Sequence, residues 1–228
     1  VTGQTSIDVG AFTSTPYIMI FTDGETNQTN ADHSYEFNGD NSGGNYAERY
    51  SFNGGNGTFT SVNFLRPLGT TANLPFFDYN YVLNHAGEEK QVLGHAVQSQ
   101  SSGSADTMTR NQWVGKWANT SSSITTVKAL TTQSGGGVFE YNTGTEVLIL
   151  GYDPTNTSAT NFWEELATVT LGSDDTPLDS GVFTAKKYLW VQMSYSGASG
   201  GATDAVLRVG DGTIDPATSD YSQRTAVN

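Results

Sequence analysis

The stretch FDYNYVL at residues 77–83 separates into two interleaved sets. Phe77, Tyr79, Tyr81 and Leu83 would stand on one side of an extended chain, and Asp78, Asn80 and Val82 on the other, because successive side chains of a strand point to opposite faces. Period two of this kind marks a half-buried strand. Working outward, similar short runs occur at 6–13, 16–22, 34–38, 46–52, 58–65, 90–98, 111–118, 123–131 and 145–151. Turn-rich segments separate them: DGETNQTNAD (23–32), NGDNSGGN (38–45), NGGNG (53–57), QSSGSAD (100–106) and QSGGG (133–137). VLILG at 147–151 is apolar without alternation, which reads as a central strand covered on both faces. Many short strands joined by Gly-rich turns predict an all-β, antiparallel β-sandwich or jelly-roll-like domain. Phe12, Tyr17, Ile18, Ile20, Val147 and Ile149 are expected in its core. The one helix-like stretch is TNFWEELA at 160–167.

The chain also repeats itself. IDVGAFTSTPY (7–17) returns as LDSGVFTAKKY (178–188), and the constant offset of 171 also pairs Ala31 with Ala202, Gly39 with Gly210, Asp40 with Asp211 and Tyr50 with Tyr221. A period this long belongs to a whole domain, not to a solenoid repeat of roughly 20–50 residues. The reading is a first sandwich over 1–151, a linker over 152–161 and a partial second sandwich over 162–228. Gly39 and Gly210 should then occupy equivalent turns. Tyr35 and Phe37 alternate out of phase with Leu207 and Val209, so a bulge or small indel is expected ahead of one pair. The pattern is cut at both ends, which favours an excerpt of a longer polypeptide over completion by strands of a neighbouring subunit.

Composition narrows the function classes. Net charge is −13, with only ten Lys and Arg residues, whereas nucleic-acid binding needs clustered basic groups to neutralise phosphates. There is no cysteine, so neither a disulfide framework nor a thiolate metal site is available. No apolar run approaches the roughly 20 residues of a membrane-spanning helix.

Few motifs suggest chemistry. GASGG (197–201) spells the nucleophile elbow around Ser199, but that motif works at a strand-to-helix turn, and here it falls between two predicted strands. Glu88–Glu89 and Glu164–Glu165 are adjacent pairs and would point apart on a strand, so they do not make a glycosidase pair. His33, His85 and His95 lack ligand spacing. With no acid, base and nucleophile converging, the chain is read as a non-enzyme without a cofactor. Two candidate sites remain. Asn38 and Asp40, with Asp211 and Asp215 in the second copy, offer oxygen ligands on Gly-rich loops, which is the chemistry of calcium; the bland alternative is turn geometry. Trp113 and Trp117, four apart and so on one strand face, could with Tyr46 stack on a sugar; such rings are more commonly core.

FNGDNSGGNYAERYSFNGG (37–55), GKWANTSSSIT (115–125), YNTGTEVLILGYDP (141–154) and NFWEELATVTL (161–171) resemble a family of structural proteins encoded by tailed viruses of marine bacteria and archaea, tail-fibre-like virion proteins. The resemblance spans 7–171 as a complete unit and 162–228 as the start of another. It implies a β-rich, tandemly repeated module outside a particle, extracellular and without catalytic residues. The expected function is a structural virion surface protein (tail fibre, spike or capsid decoration) serving particle architecture and host attachment. Self-association, as a homotrimer or larger, contact with other virion proteins and a host-surface glycan are the expected partners; nucleic acid and membrane insertion are not. The alternatives are a carbohydrate-binding module or lectin, and a subunit of an extracellular cell-surface filament.

Overall fold

In the computed structural model, the residues described are 3–103, 105, 107–132, 138–153 and 155, and then 166–167, 169, 178–187, 189, 191 and 207–210. The chain divides into two units, Val1–Phe162 with Ser219–Asn228, and Trp163–Thr218. The first holds eleven strands: β1 (Ser6–Ala11), β2 (Tyr17–Gly24), β3 (Ala31–Phe37), β4 (Tyr46–Phe52), β5 (Gly55–Val62), β6 (Leu65–Thr70), β7 (Phe76–Leu83), β8 (Lys90–Gln98), β9 (Thr109–Trp117), β10 (Thr126–Thr132) and β11 (Glu146–Tyr152). They form a four-stranded sheet, β1-β10-β3-β6, and a seven-stranded sheet, β11-β2-β7-β8-β9-β4-β5. Every pairing is antiparallel. The fold is the all-β sandwich that the alternation predicts.

One core lies between the sheets. Tyr35, Phe37, Leu65, Leu68, Val127 and Ala129 from the smaller sheet meet Ile18, Ile20, Tyr46, Phe76, Val82, Val92, Trp113 and Trp117 from the larger. Burying side chains of this kind contributes about 1.5–3 kcal/mol each. Large rings fit because glycines stand beside them: a Cβ on Gly94 would lie 2.2 Å from Trp113 Nε1, and one on Gly115 2.8 Å from a Leu65 methyl.

Turn chemistry sets the ladders. Asn53 and Gly54 link β4 to β5 with φ of 51° and 91°, and Phe52 faces Gly55 in register. Positive φ at both corners is what a two-residue hairpin demands, and Asn-Gly supplies it. Gly10 (φ 73°) breaks the β1–β10 register between Asp8 and Ala11, its N–H donating to Asp8 Oδ1 at 2.9 Å. In the second unit, Gly181 has φ 67° and donates to Asp179 Oδ1 at 2.8 Å. The repeated words therefore share the Asp-x-Gly turn but not the strand around it: residues 6–11 form β1, whereas 178–187 are not in a strand. The Gly39–Gly210 pair does not match: Gly39 is a turn residue with φ 71°, whereas Gly210 sits in a single β-bridge.

Several expectations need correction. β7 is turned over relative to its apolar pattern: Phe76, Asp78, Asn80 and Val82 face the core, while Phe77, Tyr79, Tyr81 and Leu83 stand half-buried on the other face. The run VLIL belongs to β11, which among the described strands stands at an edge of the larger sheet and pairs with β2. Ile18 and Ile20 are buried and Phe12, Val147 and Ile149 half-buried, but Tyr17 is 42% exposed. β6 begins where the run 58–65 was expected to end. A register shift lies between His33 and Tyr35 in the β3–β6 pairing; the chain ahead of Leu207, which the comparison of the two copies needs, falls outside the described residues. Ser199, Asp211, Asp215 and most of the helix-like stretch 160–167 fall outside the described residues.

Candidate functional site

The residues nominated for sugar and for calcium turn out to hold each other. Trp117 and Tyr46 stack 6.4 Å apart at 17°, with Phe37 6.1 Å from both. Tyr46 and Trp117 are 1% exposed and Trp113 3%, so none of the three offers a ring face to a glycan. Trp117 Nε1 donates to Asp40 Oδ2 at 2.8 Å, and Asn45 Nδ2 donates to the same oxygen at 2.7 Å. Asp40 Oδ1 accepts from Ser42 N at 3.0 Å. Burial pushes the Asp40 carboxyl upward, but these donors, Trp117 foremost, outweigh it and hold the group below the usual carboxylate range. Asn38 is committed as well. Its Oδ1 accepts from Thr125 N at 2.8 Å and Thr126 N at 3.1 Å, and its Nδ2 donates to Ser123 O at 2.9 Å. Both loop side chains serve turn geometry. Among the described residues, no three His, Asp or Glu side chains converge as a metal site needs.

The main polar assembly lies deeper, and its centre is in the opening stretch. Asp78 Oδ2 accepts from Tyr35 Oη and Asn80 Nδ2, each at 2.7 Å, and lies 3.4 Å from His33 Nε2. Tyr35 Oη is 2.6 Å from Thr22 Oγ1, and His33 Nδ1 is 2.7 Å from Tyr141 Oη. All are buried. His33 and Tyr35 come from the smaller sheet, Thr22, Asp78 and Asn80 from the larger, so the assembly braces one sheet against the other. Burial and then the Asp78 carboxylate push the Tyr35 and Tyr141 phenols well above their ordinary range. Asp78 Oδ1, Asn80 Oδ1 and Trp113 Nε1 have no hydrogen-bond partner. A second buried carboxyl, Glu48 on β4, accepts from Arg66 N on β6 at 2.6 Å through Oε2, leaving Oε1 without a partner. Burial raises Glu48 to about 7, against the lowering effect of that N–H and of the Arg66 guanidinium. Neither cluster was marked in advance, although polar residues at alternate positions of a strand are the available signal.

The face of the larger sheet turned away from the core carries a second group of rings. Phe21 stacks on Phe77 at 6.1 Å, Tyr79 on His95 at 5.5 Å and 7°, and Tyr81 meets Tyr79 edge-on at 6.1 Å. Beside Tyr81 in register come Leu93 and Val114, 60% and 46% exposed. His95 is thus a packed histidine on this outer face; burial lowers its pKa, with Arg110 adding to the effect and Asp78 opposing it.

No family model, curated protein or solved structure matches the chain. No helix among the described residues is long and apolar enough to cross a membrane.

Proposed function

We propose that this chain is a structural protein of a virion surface, a tail-fibre, spike or capsid-decoration module whose work is particle architecture and attachment to a host surface. The observation that carries the reading is the recurrence of one backbone device: an Asp-x-Gly turn with left-handed glycine at 8–10 and again at 179–181. Tandem sandwiches lengthen a surface structure without requiring chemistry of each copy. The resemblance of residues 37–55 and 141–154 to virion proteins supports the same reading. So does the inward commitment of Asn38, Asp40, Tyr46 and Trp117, which makes them scaffold. Self-association and contact with other particle proteins belong to this proposal. Immunogold labelling with antibodies to residues 1–151 tests it. Label on the outside of virus particles is expected; label confined to cell-surface filaments or to free protein would overturn it.

A carbohydrate-binding module is the second reading; its sugar would be met elsewhere than at Trp113, Trp117 and Tyr46, whose rings are buried. A glycan array probed with the purified chain separates the two, since a lectin gives saturable binding to a defined sugar in the absence of any particle.

A further inference from the structure

Two Asn-Gly turns in this fold share a backbone and differ in their side-chain restraints. Asn38–Gly39 has φ of 52° and 71°, closed by Asp40 N donating to Phe37 O at 3.0 Å. Asn53–Gly54 has φ of 51° and 91° at the tip of the β4–β5 hairpin. In both, a flexible glycine follows an asparagine carboxamide, so the glycine nitrogen meets little steric hindrance on approach to Cγ.

The side chains then part ways. The Asn38 carboxamide is held at both ends: Nδ2, the nitrogen that would leave, donates to Ser123 O, and Oδ1 accepts two backbone N–H groups. Asn53 has a single restraint, Arg110 N donating to its Oδ1 at 2.9 Å, and its Nδ2 has no partner among the described residues. Gly54 is exposed, and Asn53 partly so. The third Asn-Gly pair, Asn56–Gly57, lies inside β5, where pairing with Ser51 and Tyr50 holds it extended.

We propose that Asn53 is a site of spontaneous covalent modification, deamidating through a cyclic imide while Asn38 and Asn56 are protected by the fold. The Gly54 nitrogen, losing its proton to solvent base, bonds to Asn53 Cγ, and Nδ2 takes up a proton and leaves as ammonia. Water then opens the ring. Attack at one carbonyl gives aspartate; attack at the other gives isoaspartate, with the chain running through the side-chain carboxyl. No oxidant or cofactor enters. The isoaspartyl product inserts a methylene into a turn that has room for two residues, so the pairing of Phe52 with Gly55 cannot be kept and the edge strand β5 loosens. This proposal does not depend on the virion reading.

Incubating the full chain at mildly alkaline pH and mapping peptides by mass and by isoaspartyl methylation tests it. A gain of about one dalton, carried as isoaspartate, is expected at residue 53. It should accumulate at least about fivefold faster than at residue 38, the factor one net hydrogen bond of extra opening free energy supplies. In denaturant the sites should react alike, and Asn53→Gln should remove the fast signal. Equal rates in the folded chain, a faster reaction at Asn38 or Asn56, or a ratio that persists in denaturant would overturn the proposal.

Discussion

Glu48 makes stability depend on pH across the neutral range. Its carboxyl is buried between β4 and β6, and its folded-state pKa is raised from 4.5 to about 7. The folded protein therefore holds this proton more tightly than the unfolded chain does. The stabilisation is complete below the unfolded value and is lost as pH rises through the folded one. At about 1.4 kcal/mol per pKa unit, the interval corresponds to roughly 3 kcal/mol. Asp32, also raised by burial, acts in the same direction, and Asp40, lowered, acts in the opposite one, so the wild-type profile alone does not isolate Glu48. Glu48→Gln does. The amide oxygen can still accept from Arg66 N, and its NH₂ replaces the unpartnered Oε1. That replacement has a penalty of about 1–3 kcal/mol, but a penalty independent of pH. Urea unfolding followed by tryptophan fluorescence, at about pH 5 and about pH 8, should show the wild type losing roughly 2.5 kcal/mol more than the variant, slightly less than the full interval because pH 5 already lies above the unfolded value. Parallel losses in the two proteins would refute the assignment of a proton to Glu48 near neutrality.

Gly94→Ala should destabilise the fold by about 1–3 kcal/mol, because a Cβ there would meet Asn80 Oδ1 at 2.1 Å and Trp113 Nε1 at 2.2 Å; a neutral or stabilising effect in urea unfolding would contradict the packing of Trp113 over this glycine. Tyr35→Phe removes a donor from buried Asp78 and should cost about 1.5–3 kcal/mol. Combined with Asp78→Asn, its effect should be clearly non-additive in a double-mutant cycle, and simple additivity would argue against a shared network. Chelation should leave the thermal midpoint unchanged, since Asp40 and Asn38 already accept from protein donors; a drop on adding EDTA, reversed by calcium, would return Asp40 to the metal ligands.

The strands were legible where side chains alternate and turns carry Gly with Asn or Asp, which is why β4, β7, β8 and β9 stand close to their expected limits. β6 was hidden by Pro67, which argues against a strand except at an edge, and β6 is an edge. Uniform apolarity does not distinguish a central strand from an edge one, and VLIL of β11 is only half-buried. The candidate site was legible in its residue types but not in its direction. Trp113 and Trp117 look alike as binding rings or as core rings until their neighbours are known, and Gly94 and Gly115, which make room for Trp113 inside, were the unread signal. The acidic loop could not declare that its partner was an indole N–H 77 positions further along. Asp78 and His33 are 45 positions apart in sequence, and only the closure of one sheet on the other joins them.

The inward-facing polar set of β7 has a consequence for how the chain chooses its own alignment. By apolarity alone, the strand would do better displaced by one residue, with Phe77, Tyr79 and Tyr81 in the core, since a one-residue slip exchanges the two faces. In that competitor, Asp78 would reach water and lose nothing. Tyr35 and His33, however, would remain sealed in the core without the carboxylate they face, and each buried polar group left unpaired costs about 1–3 kcal/mol. The discrimination against the misaligned fold is thus exercised from β3, at a distance from the strand being aligned. Asp78 acts as a key cut to fit a lock made elsewhere in the chain, and greasier β7 sequences that lose this key would gain burial while losing the means to tell one alignment from the next.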